Sequence, residues 1–316
     1  MLGVESFTTD ATGFRELWAW LLEFGPVTRV GVEGTGAYGA GLARFLRSAG
    51  TEVIEVDRPN RQARRRNGKS DPGDAVEAAR AALSGRARGI AKTADGYVEA
   101  MRALLVAKRS GRDARIATLN QIRHLGFTAP DELRERLRGV SRQELAEVAG
   151  ALRPTAGTDH VLYATKLALR TLGRRAIAID AGLGHVDLLL TELVAVWAPG
   201  LLGVNGVGVD TAAVLLVAAG DNPERIRSEA AFAKLCGVAP LPASSGKTTR
   251  YRLNPGGNRQ ANHALWRVVL TRMGNDARTR DYVERRTKEG LSKPEIMRVL
   301  KRYVAREVYR HLPRPS

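Results

Sequence analysis

Three acidic residues have types and spacing that suit metal chemistry. Asp71 and Asp74 lie three residues apart at the predicted start of a helix, so their carboxylates share one helix face. Glu33 stands at the predicted end of a strand, directly before a glycine-rich turn. Magnesium takes carboxylate oxygens as ligands, and metal ions assist attack on phosphodiesters. The three residues therefore predict a site for Mg²⁺ or Mn²⁺ that acts on phosphate.

Helix capping is the alternative explanation for the two aspartates. Asp71 is a good N-cap residue, Asp74 complements the helix dipole, and Pro72 suits a first helical turn. Taken alone, capping is the more common role of such residues. The presence of Glu33 at a strand end favours the metal site, because three carboxylates could then converge.

The chain as a whole is strongly basic. Its formal net charge is +17 over 316 residues, of which 44% are apolar. A field of that sign attracts polyanions, and the apolar content suits globular domains. A basic tract precedes Asp71, and its positive charge suits a nucleic-acid backbone. The contacts predicted in this tract are Arg61, Arg64, Arg65, Arg66 and Lys69. A solvated basic loop is the alternative.

The glycine pattern around Glu33 also resembles a dinucleotide-binding loop. VEGTGAYGAG contains G-x-G-x-x-G after an apolar run and before a helical pattern, as a βαβ unit requires. A carboxylate directly before the first glycine would repel a pyrophosphate, however, and a nicotinamide enzyme does not need the basic tract. We therefore rank a dehydrogenase last among the functions considered.

Compartment and domain organisation follow from composition. The single cysteine, Cys236, suits a reducing cytosol. No apolar run approaches the ~18 residues of a membrane helix, and MLGVESFTTD lacks the features of a signal peptide.

Residues 1–93 alternate short apolar runs (LGVESF, VTRVGVE, EVIEVD) with helical patterns, which predicts an α/β sheet. Residues 94–198 show long helical periodicities typical of coiled-coil-like helices, and residues 199–316 predict short helices joined by glycine-rich turns.

Two short motifs surround the candidate carboxylates. Glu33, Thr35, Gly36 and Tyr38 form an E-x-T-G-x-Y element, and Lys69, Ser70, Asp71, Asp74 and Ala75 form a K-[ST]-D-x-x-D-A element. Both resemble motifs of bacterial insertion-sequence transposases of the DEDD type, which include the family numbered one hundred and ten and Piv-like DNA invertases. The resemblance implies that residues 1–93 form a RuvC-like domain with the α/β ribonuclease-H fold. It also implies an Asp-Glu-Asp-Asp metal tetrad that includes Glu33, Asp71 and Asp74.

The C-terminal third extends this resemblance. Residues 203–221 predict a helix-hairpin-helix in which Gly206 and Gly208 present backbone N–H groups to a DNA phosphate. A tight turn between packed helices is the alternative. The following segment is similar to the family's mainly α-helical transposase domain, whose nucleophile is a serine before a glycine. The resemblance implies Ser245, with Ser244 as the fallback, whereas the residues alone predict a flexible polar loop.

Basic residues near this serine and in the last helix are the remaining predicted contacts with nucleic acid. A serine that attacks a phosphodiester needs cations or a metal to offset the developing charge. The last helix carries a basic band that also includes Arg306, and a solvated face is the alternative. The predicted contacts are Lys247, Arg250, Arg252, Arg259, Arg298, Lys301 and Arg302, with Asn258 and Asn262 as supports.

Two positions depart from the family pattern. No residue matches the leading aspartate of the tetrad, because Asp10 falls in a turn, where it would cap the next helix, and Glu5 is out of position on a predicted strand. We expect the chain to lack about two N-terminal strands, which would expose a sheet edge. Pro255 stands where the family tends to have a basic residue.

The resemblance as a whole implies a transposase or site-specific recombinase of an insertion sequence. Such a protein binds the ends of the element and its target DNA in the cytoplasm, at the nucleoid. It assembles as a homo-oligomer, and some members use a guide RNA. Two alternatives stay open: a metal-dependent RuvC-like nuclease without a covalent intermediate, and an inactive DNA-binding remnant, because the leading aspartate is absent.

Overall fold

The chain divides into two compact units. The computed structural model describes residues 2–36, 38–56, 71–87, 89–90, 92–93, 96–155, 157, 159–222, 225–242, 251–252 and 254–313, with the backbone only at 71 and 90. Unit one holds residues 1–100 and 197–316, and unit two holds residues 101–196. Helices predominate in both units, and the sheets are small.

The segment before the first helix is not a strand. LGVESF predicts one, and this prediction is wrong, because residues 2–8 form no strand. Leu2 is 80% exposed. Phe7 instead packs against Trp20 of helix α1 (Ala11–Leu22), with 5.7 Å between the ring centroids. The apolar residues of this segment therefore contact a helix rather than a sheet.

A small sheet follows α1 in unit one. Strand β1 (Arg29–Glu33), helix α2 (Ala40–Ser48) and strand β2 (Glu52–Val56) form a βαβ unit with parallel strands. After helix α3 (Asp71–Leu83), strand β3 (Gly89–Ile90) pairs with β2 in the antiparallel sense. Among the described residues the strand order is β1-β2-β3. The strands expected from VTRVGVE and EVIEVD are present, whereas the ribonuclease-H topology stays a prediction.

Helices cover both faces of β1. Side chains alternate along a strand, so Val32 faces one side, and Gly31 and Glu33 face the other. Val32 lies in a core with Leu46 of α2. On the opposite face α3 comes very close, because a Cβ on Gly31 would lie 2.6 Å from the carbonyl oxygen of Ala78. Glu33 therefore ends β1 on the face that α3 covers.

Unit two is helical, as its periodicities predict. Its residues lie in helices α4 (Tyr97–Phe127), α5 (Asp131–Leu137), α6 (Leu145–Gly150) and α7 (His160–Trp197), of which α4 and α7 begin or end in unit one. Lys108 pairs with Asp187, and Arg115 pairs with Asp180. Since residue numbers along α7 fall as residue numbers along α4 rise, the two long helices are antiparallel. The core of the unit includes Leu133, which has 0% exposure.

The rest of unit one is a helical bundle with a short hairpin. The elements are α8 (Pro199–Leu202), α9 (Val209–Ala219), α10 (Glu229–Leu235), β4 (Leu241–Pro242), β5 (Tyr251–Arg252), α11 (Arg259–Asn275), α12 (Ala277–Lys288) and α13 (Lys293–Arg310). Helix α11 packs against α9, α12 and α13. Its buried side chains include Leu265 and Val268. Across the described residues, none of the helices is both long enough and apolar enough to cross a membrane.

Candidate metal centre and nucleic-acid surface

Glu33 lies at the exposed end of β1, where its backbone pairs with Val56. The glycine turn that follows folds back closely on it. Gly34 has a φ of +68°, a conformation that favours glycine. A Cβ on Gly39 would lie 2.7 Å from the carbonyl oxygen of Glu33. These glycines therefore form a tight turn around the carboxylate-bearing residue.

The second motif lies at the start of α3, the helix packed on the same face of β1. The helix begins at Asp71, and Asp74 is half-buried in its first turn. Asp74 precedes Ala78 by about one helical turn, and Glu33 follows Gly31 by two residues. Both residues are therefore close along the chain to the contact between Gly31 and Ala78.

The metal-site prediction is only partly covered by the described side chains. Glu33 lies on the strand and Asp74 lies on the helix of one close strand–helix contact, and carboxylate oxygens suit a hard cation such as Mg²⁺. The side chain of Asp71 lies outside the described set. Groups of three metal-binding side chains are absent among those described, which leaves a trio that includes Asp71 a prediction.

The threonine and the tyrosine of the first motif have different environments. Thr35 is 3% exposed, and its hydroxyl donates a hydrogen bond of 2.6 Å to Oε1 of Glu55 on β2. Tyr38 is 97% exposed. The threonine therefore anchors the turn, whereas the tyrosine ring is open to a ligand. The sequence marked both residues through the motif but gave no sign that Glu55 was the partner.

The predicted nucleophile Ser245 and its fallback Ser244 lie outside the described residues. The same holds for the predicted nucleic-acid contacts Lys247, Arg250, Arg61, Arg64, Arg65, Arg66 and Lys69. The strands on either side of the serine segment are described, and Pro242 pairs with Tyr251. Burial raises the pKa of the Cys236 thiol to about 12. This thiol stays protonated at neutral pH, which removes it as a rival nucleophile.

The glycines of the predicted helix-hairpin-helix have separate roles. Gly206 has a φ of +78°, and a Cβ there would meet Val268 of α11 at 3.3 Å. It therefore belongs to a packed turn, as the alternative explanation requires. Gly208 is exposed at the start of α9, and no atom lies within 4 Å of where its Cβ would be. Asp210 already places a carboxylate in the first turn of that helix. Phosphate binding at this turn stays a prediction.

The basic band of α13 is largely engaged in internal contacts. Arg302 and Arg306 both pair with Glu229 of α10. Lys301 is 8% exposed, and its Nζ donates to Oδ1 of Asn262 at 2.8 Å. Arg298 is exposed. We therefore exclude Lys301 and Arg302 from the proposed nucleic-acid surface and retain Arg298.

The two asparagines of α11 also have structural roles. Asn262 donates through Nδ2 to the carbonyl oxygens of Cys236 and Gly237, at 3.0 and 3.1 Å. Asn258 caps α11, because its side-chain oxygen accepts from the backbone N–H of Gln260. Both residues therefore stabilise the backbone next to the β4–β5 hairpin. A role for them in nucleic-acid binding stays a prediction.

Helix α11 presents an exposed surface of which only Arg259 was predicted as a contact from the sequence. Arg259, His263, Trp266 and Arg267 are exposed along one side of the helix, and we call these four residues the α11 surface. The rings of His263 and Trp266 stack, with centroids 5.3 Å apart and planes 26° apart. Neither arginine forms an ion pair with any described residue. The signal was the spacing of four and three residues in RQANHALWR, which places arginine, histidine and tryptophan on one face.

Asp10 is a helix cap, as its position in the sequence predicted. Its Oδ1 accepts hydrogen bonds of 2.9 Å from the backbone N–H groups of Thr12 and Gly13 at the start of α1. The Gly13 bond, and next a bond from Thr8, hold the pKa of this carboxyl below its ordinary value. Asp10 is thus occupied at the N-terminus of a helix, away from any strand.

Comparison with known proteins identifies two domains in the chain. Residues 1–125 match the transposase model for the DEDD domain of IS110-type elements. Residues 199–284 match the model described as the transposase IS116/IS110/IS902 family. A 94-residue segment, 29% of the chain, is 38% identical to an uncharacterized 43.6 kDa protein of insertion element IS110 from Streptomyces coelicolor. The matched segment spans 23% of that relative's length.

Proposed function

We propose that this chain, which belongs to the IS110 family of insertion-sequence transposases, binds DNA and cleaves and exchanges its strands. The observation that carries the proposal is the placement of Glu33 on the face of β1 that α3 covers, with Asp74 in the first turn of α3. Glu33 and Asp74, which are 41 residues apart in the sequence, thereby lie near one contact between β1 and α3.

The carboxylates of Glu33, Asp71 and Asp74 would hold a divalent metal ion, Mg²⁺ or Mn²⁺. When bound, such an ion offsets the negative charge that develops on an attacked phosphate. The tight glycine turn keeps the Glu33 backbone in place, and the β1–α3 contact fixes the start of α3 relative to it. Packing would therefore set the backbone positions of Glu33 and of the start of α3 before any ion binds.

Ser245 is the proposed nucleophile, with Ser244 as the fallback. Its Oγ forms a bond to phosphorus while the bond from phosphorus to one backbone oxygen of DNA breaks. The serine proton leaves to a base or to water, and the freed DNA oxygen takes up a proton. The phosphoserine link conserves the phosphodiester energy for rejoining. The pairing of Pro242 with Tyr251 supports this role, because it brings the two ends of the serine segment together.

The nucleic acid would contact the α11 surface and nearby exposed cations. Guanidinium groups such as those of Arg259 and Arg267 suit phosphates, and stacked rings such as those of His263 and Trp266 suit an unpaired base. Arg252 and Arg298 are also exposed and extend the positive charge. A guide RNA and a homo-oligomer belong to the same proposal.

A denaturing gel for a covalent protein–DNA adduct tests the proposal. The full chain is mixed with Mg²⁺ or Mn²⁺, the element's junction DNA and transcripts of its flanks, beside Ser245→Ala, Ser244→Ala and Glu33→Gln. We expect an adduct that Ser245→Ala and Glu33→Gln abolish and Ser244→Ala retains. Cleavage that survives Ser245→Ala without an adduct would establish the nuclease instead. Binding without any strand breakage would establish the inactive remnant.

Mixing two inactive variants tests the oligomer. If the metal site and the serine come from different subunits, Ser245→Ala and Glu33→Gln together restore the adduct, although neither forms it alone. If one subunit supplies both, the mixture stays inactive. Adding the transcripts only to some reactions shows in the same gel whether an RNA is required.

A further inference from the structure

Glu55 is a largely buried carboxylate that takes no part in the proposed cleavage chemistry. It lies on β2, its backbone pairs with Val32, and its side chain is 16% exposed. By alternation it faces the side of the sheet opposite to Glu33. Its Oε1 accepts the 2.6 Å hydrogen bond from the hydroxyl of Thr35. A buried carboxylate needs such partners, because an unpaired buried charge is strongly destabilising.

Two cations from different parts of unit one lie near this carboxylate. Nη2 of Arg225 is 3.7 Å from Oε2 of Glu55, and the arginine side chain is 19% exposed. Nζ of Lys92 donates to the carbonyl oxygen of Val217 at 2.5 Å. Burial, and next the charge of Arg225, lower the pKa of Lys92, whereas Glu55 raises it. We call Thr35, Glu55, Lys92 and Arg225 the Glu55 cluster.

The cluster joins the two matched domains. Thr35, Glu55 and Lys92 lie in residues 1–125, and Arg225 lies in residues 199–284. A second bond close by has the same effect, since Oδ1 of Asp221 accepts from the backbone N–H of Val98 at 2.8 Å. The turn that contains Thr35 is therefore tied to the domain that contains the proposed serine.

Glu33 ends β1 directly before this turn, two residues before Thr35. A buried hydroxyl that is bonded to a buried carboxylate leaves the turn backbone little freedom. Groups that hydrogen-bond to a metal ligand typically change metal affinity by about 10–100-fold when they are removed, and we expect a group that acts through the backbone next to the ligand to fall at the lower end of that range. The carboxylate of Glu33 thus depends on Glu55, although the two face opposite sides of the sheet.

We propose that Glu55 is a positioning residue for the metal site: it holds Thr35, and through Thr35 the Glu33 turn, while Arg225 fixes Glu55 from the transposase domain. The proposal rests on the proposed function, because it assumes that Glu33 is a metal ligand. It gives the threonine of E-x-T-G a physical role that the motif alone does not.

Calorimetric titration of Mn²⁺ into the metal-free full chain tests this role without any turnover. Thr35→Val removes the hydroxyl at constant shape, and we expect Mn²⁺ affinity to fall by about tenfold. Thr35→Ser keeps the hydroxyl and should bind within about twofold of the unsubstituted chain. Glu55→Ala should weaken binding at least as much as Thr35→Val, because it removes the same hydrogen bond and also the partner of Arg225. The double variant should lose no more than Glu55→Ala alone.

Glu52→Gln is the matched control, because Glu52 lies on the same strand, is 54% exposed and pairs with Arg29 at the surface. It should leave Mn²⁺ affinity unchanged. Thermal melting of each metal-free variant is recorded in parallel. Thr35→Val with a lower Tm and undiminished Mn²⁺ affinity would overturn the proposal, because the bond would then serve stability alone.

Glu33→Gln separates this proposal from the proposed function. If Glu33→Gln abolishes Mn²⁺ binding and Thr35→Val does not weaken it, only the positioning role fails. If Glu33→Gln binds Mn²⁺ as the unsubstituted chain does, the metal site itself is wrong and the positioning role fails with it.

Discussion

Helices α11 and α13 both carry several cationic side chains, and they differ in whether those side chains have partners within the protein. On α13, Arg302 and Arg306 share Glu229, and Lys301 is buried against Asn262. On α11, Arg259 and Arg267 stand beside a stacked ring pair and pair with no carboxylate among the described residues. The difference shows that the number of cations on a helix does not tell how many of them are free of internal partners. We expect the position of acidic partners to decide which helix contacts nucleic acid.

The largest effect should come from the buried lysine of α13. Lys301→Ala removes the apolar stem and leaves Oδ1 of Asn262 without its donor, so the free energy of unfolding should fall by about 2 kcal/mol. DNA affinity should stay within about twofold if Lys301 is structural. Urea unfolding and a DNA-binding titration measure the two quantities. Lys293→Ala on the exposed start of α13 is the control, and a loss of DNA affinity specific to Lys301→Ala would restore the basic-band hypothesis.

The ring pair of α11 should contribute the next largest effect. Trp266→Ala should weaken binding of single-stranded DNA by about tenfold, because stacking contributes about 1–3 kcal/mol per base. Trp266→Phe retains a ring and should lose less. Fluorescence anisotropy with a labelled oligonucleotide measures the change. Leu270→Ala, which alters another exposed apolar residue of α11, serves as the control. Equal losses for Trp266→Ala and Leu270→Ala would argue against stacking.

The shared carboxylate of α13 should matter less. Glu229→Gln leaves Arg302 and Arg306 without their counter-charge, and the cost should be about 1 kcal/mol, since these side chains are partly exposed and solvent screens the pair. The two released arginines should raise DNA affinity and its salt dependence. Unfolding in urea and titrations at several salt concentrations check both effects. Asp281→Asn on α12, an exposed acid, is the control for the charge change. An unchanged salt slope would show that these arginines face away from DNA.

The smallest effect is a pH dependence of stability. Burial, and next the charge of Arg298, hold the pKa of Lys301 below its ordinary value of 10.5. The unfolded chain keeps this proton to a higher pH than the folded chain does, so Lys301 makes stability rise with pH between its folded pKa and 10.5. Lys301→Met should lack this increment. Urea unfolding of both proteins across alkaline pH measures the difference, and parallel curves would contradict it.

The sequence predicted features that depend on neighbouring residues. The carboxylate motifs, the strands β1 and β2 and the cap at Asp10 each rest on a short local pattern. The strand predicted from LGVESF was wrong because an alternating pattern does not specify whether a sheet or a helix receives the apolar side chains. Here Phe7 packs against Trp20 of helix α1.

Features that depend on distant partners could not be predicted. Glu229 lies 73 residues before Arg302, and Glu55 lies 20 residues after Thr35. No local spacing relates these residues, since only the packing of α10 on α13 and of the turn on β2 brings them together. The structure therefore separates cations that have internal acidic partners from exposed cations, a distinction that composition does not give.

The antiparallel arrangement of α4 and α7 has a kinetic consequence. Contacts within unit one join residues far apart in the chain, such as Lys92 and Val217, which are 125 residues apart. Closing so long a loop is slow when the intervening chain is unstructured. A helical hairpin that forms early returns the chain to its starting point, where the rings of Tyr97 and Trp197 stack with 5.4 Å between centroids. If this hairpin forms first, the search for distant partners becomes a local one, and we expect unit two, which lies between the two parts of unit one in the sequence, to speed the assembly of unit one.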